Sequence, residues 1–169
     1  MFELFSRLTR GLALLSAWIG GLALLATIVL TCISITGRSL SGFGLGPVSG
    51  DFEWVEIGIG FAVFCFLPLC HLARSHATVD LFATSYPQWF NRLLDLTADL
   101  LMLGFAALIT WRTMLGMLDK HLYAETTLII GFPVWLQYAL CLFGAVGLLL
   151  TAIYCMVRDI VAWGRTKYV

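Results

Sequence analysis

Four long apolar stretches set the pattern of this chain, running roughly from Leu12 to Thr36, Glu53 to Leu72, Leu93 to Leu118 and Phe132 to Val157. About 20 helical residues cover about 30 Å of hydrocarbon, so each stretch is long enough to cross a bilayer. The first follows Arg7 and Arg10 as a secretory signal would, but its apolar run exceeds the roughly 7–15 residues of such a signal, and no small-x-small cleavage site follows. It is therefore read as a retained helix. The expectation is an all-α integral membrane protein: one four-helix bundle over residues 1–169, with no soluble domain and no internal repeat.

The connections differ in character. Gly37 to Phe52 and Asp119 to Gly131 are short, and the first is rich in Gly, Ser and Pro, which predicts irregular, exposed chain. The connection between the second and third spans holds Val79, Leu81, Phe82, Tyr86, Trp89 and Phe90 beside Asp80, Gln88, Asn91 and Arg92. It is too short to span but rich in aromatics that seek the interface, so a short helix in the headgroup plane is expected over about residues 78–90, with Pro87 able to divide it.

Composition agrees: of 169 residues, 60% are hydrophobic and 12% charged, against about 25% charged in soluble domains. The formal net charge is zero, which offers nucleic acid no basic surface. The distribution of charge carries more information. Arg7, Arg10, Arg74, Arg92, Arg158, Arg165 and Lys167 fall on one side of the predicted membrane, and only Arg38 and Lys120 on the other, with Arg112 inside the third span. By the positive-inside rule both termini are expected to be cytoplasmic.

Cys32, Cys65, Cys70, Cys141 and Cys155 lie inside or at the ends of spans and form no C-x-x-C pair, so they read as packing residues. Haem would need axial histidines well inside the bundle. His71 instead ends the second span, His76 follows it and His121 lies on the opposite side. His71 and His76, five residues apart, do not share a helix face, and no convincing metal set surrounds them.

Charges at or inside the spans each call for a partner, because they are costly beside hydrocarbon. The second span opens with Asp51, Glu53 and Glu56. Arg38 can meet Glu53 or Asp51 at the surface, and Arg112 lies at the depth of Glu56, which makes an interhelical Glu56–Arg112 pair plausible. Asp99 and Arg112 are about 20 Å apart along one helix and cannot pair with each other. Asp95 and Asp99 share a face and can meet Arg74 or Arg92. Two strips of small residues permit close helix approach: Ala13, Ala17 and Gly21, with Ser16 and Gly20 on a neighbouring row, and Gly144, Gly147 and Thr151 in the fourth span.

The opening Gly50-Asp51-Phe52-Glu53, the Phe66-Leu67-Pro68 turn, the segment His76-Ala77-Thr78-Val79-Asp80, and Glu125-Thr126-Thr127-Leu128 followed by Phe132-Pro133-Val134-Trp135-Leu136-Gln137-Tyr138 together resemble the small membrane subunit of tripartite ATP-independent periplasmic (TRAP) transporters, the DctQ-type family. Arg38 matches an arginine common at that place in the family; Ala77 and Ser75 stand where a branched residue and a glycine are frequent. The resemblance implies a non-catalytic scaffold in a bacterial or archaeal cytoplasmic (inner) membrane, multi-pass, with no cofactor of its own. It implies a large multi-helix membrane subunit as partner, carrying the sodium and substrate sites for uptake of an organic acid, and a periplasmic solute-binding protein that docks transiently. Arg38, Glu53, Glu56, Arg74, His76, Asp80, Asp99 and Arg112 are the expected structural or interface residues. Two rival classes are a small proton-coupled multidrug-type exporter acting as a homodimer, for which Asp99 is the only remote midplane carboxylate, and a membrane redox protein with haem or quinone.

Overall fold

The computed structural model describes residues 2–73 and 88–165. They form four long helices, α1 (Phe2–Ser39), α2 (Asp51–Leu72), α3 (Gln88–Leu122) and α4 (Val134–Arg165), with one 3-10 turn at Ser41–Phe43. Each helix contains a stretch long and apolar enough to cross a membrane. α2, at 22 residues, measures about 33 Å and matches the hydrocarbon thickness by itself. α1, α3 and α4 have 38, 35 and 32 residues, about 48–57 Å. Their surplus lies at the end that carries the start of α1 and the end of α4, where Arg7, Arg10, Arg158 and Arg165 sit.

The last three residues of the expected interfacial helix, Gln88 to Phe90, belong to the first turn of α3. The rest of that segment, with Arg74, His76 and Asp80, lies outside the described residues. The expected Phe66-Leu67-Pro68 turn is not a turn, because α2 continues through Pro68 to Leu72. Proline removes the N–H that would reach the carbonyl four residues back, here Phe64. Gly144 of α4 packs on that carbonyl so closely that a Cβ would collide with it. A missing side chain on one helix thus covers a backbone acceptor released on its neighbour, with room for Cα–H···O contact.

Among the described residues the helices pack in series. α1 packs on α2, α2 on α4 and α4 on α3; α1 also brushes α4, whereas α3 has α4 as its only neighbour among the described helices. The reason lies in where small and buried residues fall. On α1 the buried positions are Thr9, Ala13, Ser16, Gly20, Thr27 and Ser34, one seam at steps of three, four and seven residues that lets α2 approach. A Cβ on Gly20 would stand 2.7 Å from Cys65 Cβ. The buried row is therefore the one holding Ser16 and Gly20, while Ala17 and Gly21 lie on its flank. α4 packs on two neighbours: Gly144 meets Phe64 and Gly147 meets Pro68 of α2, while Leu148 and Ala152 pack on Ala106 of α3. α3 packs on α4 alone among the described helices, and just 11% of its most apolar window is buried against 39% in α4.

Several hydroxyls within the spans donate to their own helices. Ser16 donates to the Ala13 carbonyl at 2.9 Å, Thr27 to Ala23 at 2.8 Å and Thr151 to Leu148 at 2.8 Å. Thr110 donates to Ala106 at 2.7 Å and reaches the Ala145 carbonyl of α4 at 3.2 Å, a polar tie across the α3–α4 seam.

Candidate functional site

Several polar contacts of the described residues meet at the end opposite the termini, where α1 stops, α2 starts and the α3–α4 connection folds over both. Gly50 precedes α2 with φ +69°, a left-handed conformation that glycine adopts without strain, and any Cβ there would strike the Ile130 side chain. Asp51 and Glu53 occupy the first turn of α2, where the partial positive charge of the helix start favours carboxylates.

Asp51 holds α1 to α2. Ser34 Oγ donates to Asp51 Oδ2, and Arg38 Nη2 stands 3.5 Å from the same oxygen. Arg38 is largely exposed, so its ion pair contributes little by itself. Of the two carboxylates open to Arg38 in the sequence, Asp51 is the one it meets.

Glu53 does something else. Its Oε1 accepts the Ile129 N–H at 2.8 Å and its Oε2 accepts the Ile130 N–H at 3.0 Å. The carboxylate thereby fastens the tip of the α3–α4 connection to the start of α2. The connection is shaped to present these donors: Thr127 N–H meets the Phe132 carbonyl at 2.9 Å, Val134 N–H meets Glu125 at 3.0 Å, and Phe132 N–H meets Thr127 Oγ1 at 3.0 Å. Lys120 pairs with Glu125 at its base. Aromatic contacts flank it, Trp54 with Phe132 at 6.1 Å and His121 edge-on to Trp135 at 5.2 Å. Leu128, at the tip, is 99% exposed.

The other candidates are not part of this clamp. Glu56 and Arg112 are both exposed, and α2 and α3 do not pack side by side among the described residues, so the proposed Glu56–Arg112 pair does not form. Equal depth brought them together in the sequence, but α4 stands between their helices. Asp99 is buried, at 5% exposure, near the start of α3. The side chains of Arg74 and Arg92, its proposed partners, lie outside the described residues, as do His76 and Asp80. His71 is buried at the end of α2.

Ser34, Thr127 and the two isoleucine amides complete the clamp; of these only Thr127 stands in a motif of the sequence, Glu125-Thr126-Thr127-Leu128. Ser34 carried a signal, one turn before Arg38 on the same helix. The amides carried none, because a backbone donor has no residue type.

Compared with known proteins, residues 27–162 match the model of one family, described as tripartite ATP-independent periplasmic transporters, DctQ component. The matched stretch contains the whole clamp. Searches of the curated proteins and of the solved structures gave no match.

Proposed function

Because the chain belongs to the DctQ component family of tripartite ATP-independent periplasmic transporters, we propose that it is the non-catalytic scaffold of such a transporter. As a small multi-pass membrane component, it supports a large multi-helix membrane subunit that carries the substrate and sodium sites. That pair takes up an organic acid delivered by a periplasmic solute-binding protein. The membrane is the bacterial or archaeal inner membrane, and both termini are cytoplasmic. The clamp then faces the periplasm, where the α3–α4 connection can touch the binding protein. Sodium binds the partner, and this chain holds no cofactor.

The observation that carries this reading is the family match from Thr27 to Ala162. Two features of the helices support it. Transporters that bind solute near the midplane build the site from interrupted helices, and α1 to α4 are each continuous, α2 included. The open arrangement also leaves the outer flank of α3 apolar and uncovered at Leu101, Phe105, Leu108 and Trp111, and a groove of about 330 Å3 between α1 and α4. These surfaces suit lipid or the helices of a larger partner.

The test is reconstitution of the large partner in liposomes with and without this chain. Sodium-driven uptake is expected only when both are present; full uptake by the large subunit alone would overturn the scaffold role.

A further inference from the structure

At the terminus-bearing end, a crevice of about 290 Å3 opens between α1, α2 and α4. Its polar half is formed by Arg10 of α1 and Arg158 of α4, with the Ser6 and Tyr154 side chains beside them. Its apolar half is formed by Leu14, Leu69 and Leu72. Arg10 has no ion pair among the described residues. Arg158 directs Nε to Asp159 Oδ1 at 3.0 Å, and its terminal nitrogens have no hydrogen-bond partner among the described residues.

Two guanidinium groups from different helices line this one crevice, and Asp159, the carboxylate beside Arg158, is not among its lining residues. Guanidinium offers a planar fork that matches phosphate oxygens, and an anion seated between two of them relieves their mutual repulsion. The leucines narrow the choice of anion. Leu14 lies one turn along α1 from Arg10, toward the centre of the span, and Leu69 and Leu72 continue the apolar wall from α2. A free phosphate would use only the polar half. A phosphodiester with an attached acyl chain uses both, and the crevice stands where the long helices leave the hydrocarbon, at headgroup level.

We propose that this crevice binds an anionic phospholipid, with the phosphate held by Arg10 and Arg158 and an acyl chain lying against Leu14, Leu69 and Leu72. The site ties α1 to α4, two helices that otherwise only brush each other. It rests on the membrane placement alone and stands whatever partner the chain has.

The experiment uses the full-length chain in mild detergent, titrated with phosphatidylglycerol or phosphatidylethanolamine and read by native mass spectrometry. The variants are Arg10→Gln, Arg158→Gln and, as control, Arg7→Gln, an exposed arginine on α1 that does not line the crevice. Because Arg10 has no described ion pair, its variant leaves the packing intact and reads the site even if Arg158→Gln folds poorly. Wild type is expected to retain phosphatidylglycerol over phosphatidylethanolamine. Arg10→Gln and Arg158→Gln should each lower phosphatidylglycerol retention roughly fivefold. Arg7→Gln should match wild type, and excess inorganic phosphate should leave the lipid in place. Equal loss in Arg7→Gln, no preference for the anionic lipid, or displacement by inorganic phosphate would each overturn the proposal. So would full lipid retention in Arg10→Gln, which would leave the arginines to a partner's acidic side chain.

Discussion

The Glu53 carboxylate accepts the Ile130 N–H at 3.0 Å across 77 positions of sequence, and the neighbouring Ile129 N–H is held in the same way. One side chain at the start of α2 thus fixes the connection between α3 and α4, although among the described helices α3 packs backbone-close only on α4.

Glu53→Ala removes the acceptor of both amides and should raise hydrogen exchange at Ile129 and Ile130 selectively. Glu53→Gln, which keeps one good acceptor, should fall between. Exchange mass spectrometry of the outer connection checks this, and unchanged protection in Glu53→Ala would refute the clamp.

Gly144 leaves no space for a side chain over the Phe64 carbonyl. Gly144→Leu should push α2 from α4 and cost about 1–3 kcal/mol or more, as overpacking does. Thermal unfolding in detergent reads the loss, and Gly60→Leu, where a Cβ would meet only Cys141 Sγ at 3.9 Å, should be milder.

Thr110 ties α3 to α4 through the Ala145 carbonyl. Thr110→Val keeps the shape and removes the hydroxyl, so a loss of about 0.6 kcal/mol is expected, typical of hydrogen bonds between membrane helices. The same unfolding assay applies.

Glu56 and Arg112 stand apart, so Glu56→Ala and Arg112→Ala should leave the Tm of the isolated chain unchanged, and the double variant should show no coupling. If either charge meets the large subunit, its variant should weaken co-purification of that subunit while leaving this chain folded.

The sequence was most readable where physics acts locally. Four apolar runs showed four spans because a bilayer demands length and little else. Arg38 and Asp51 were readable as neighbours because a short connection joins their helices. Helix order was not readable: Glu56 and Arg112 share a depth, and nothing in either span says that α4 separates them. On α1, two rows of small residues are equally smooth, and only the position of α2 selects Ala13, Ser16 and Gly20 over Ala17 and Gly21. The resemblance made Phe66-Leu67-Pro68 a turn, yet α2 continues through Pro68, and Gly144 packs on the Phe64 carbonyl that the proline leaves without its helix donor.

The most direct test of the scaffold role is affinity purification of the tagged chain from its native membrane in mild detergent, with mass spectrometry of what is retained. Stoichiometric recovery of a much larger multi-helix membrane protein is the predicted result. Recovery of this chain alone, as a stable homo-oligomer, would contradict it.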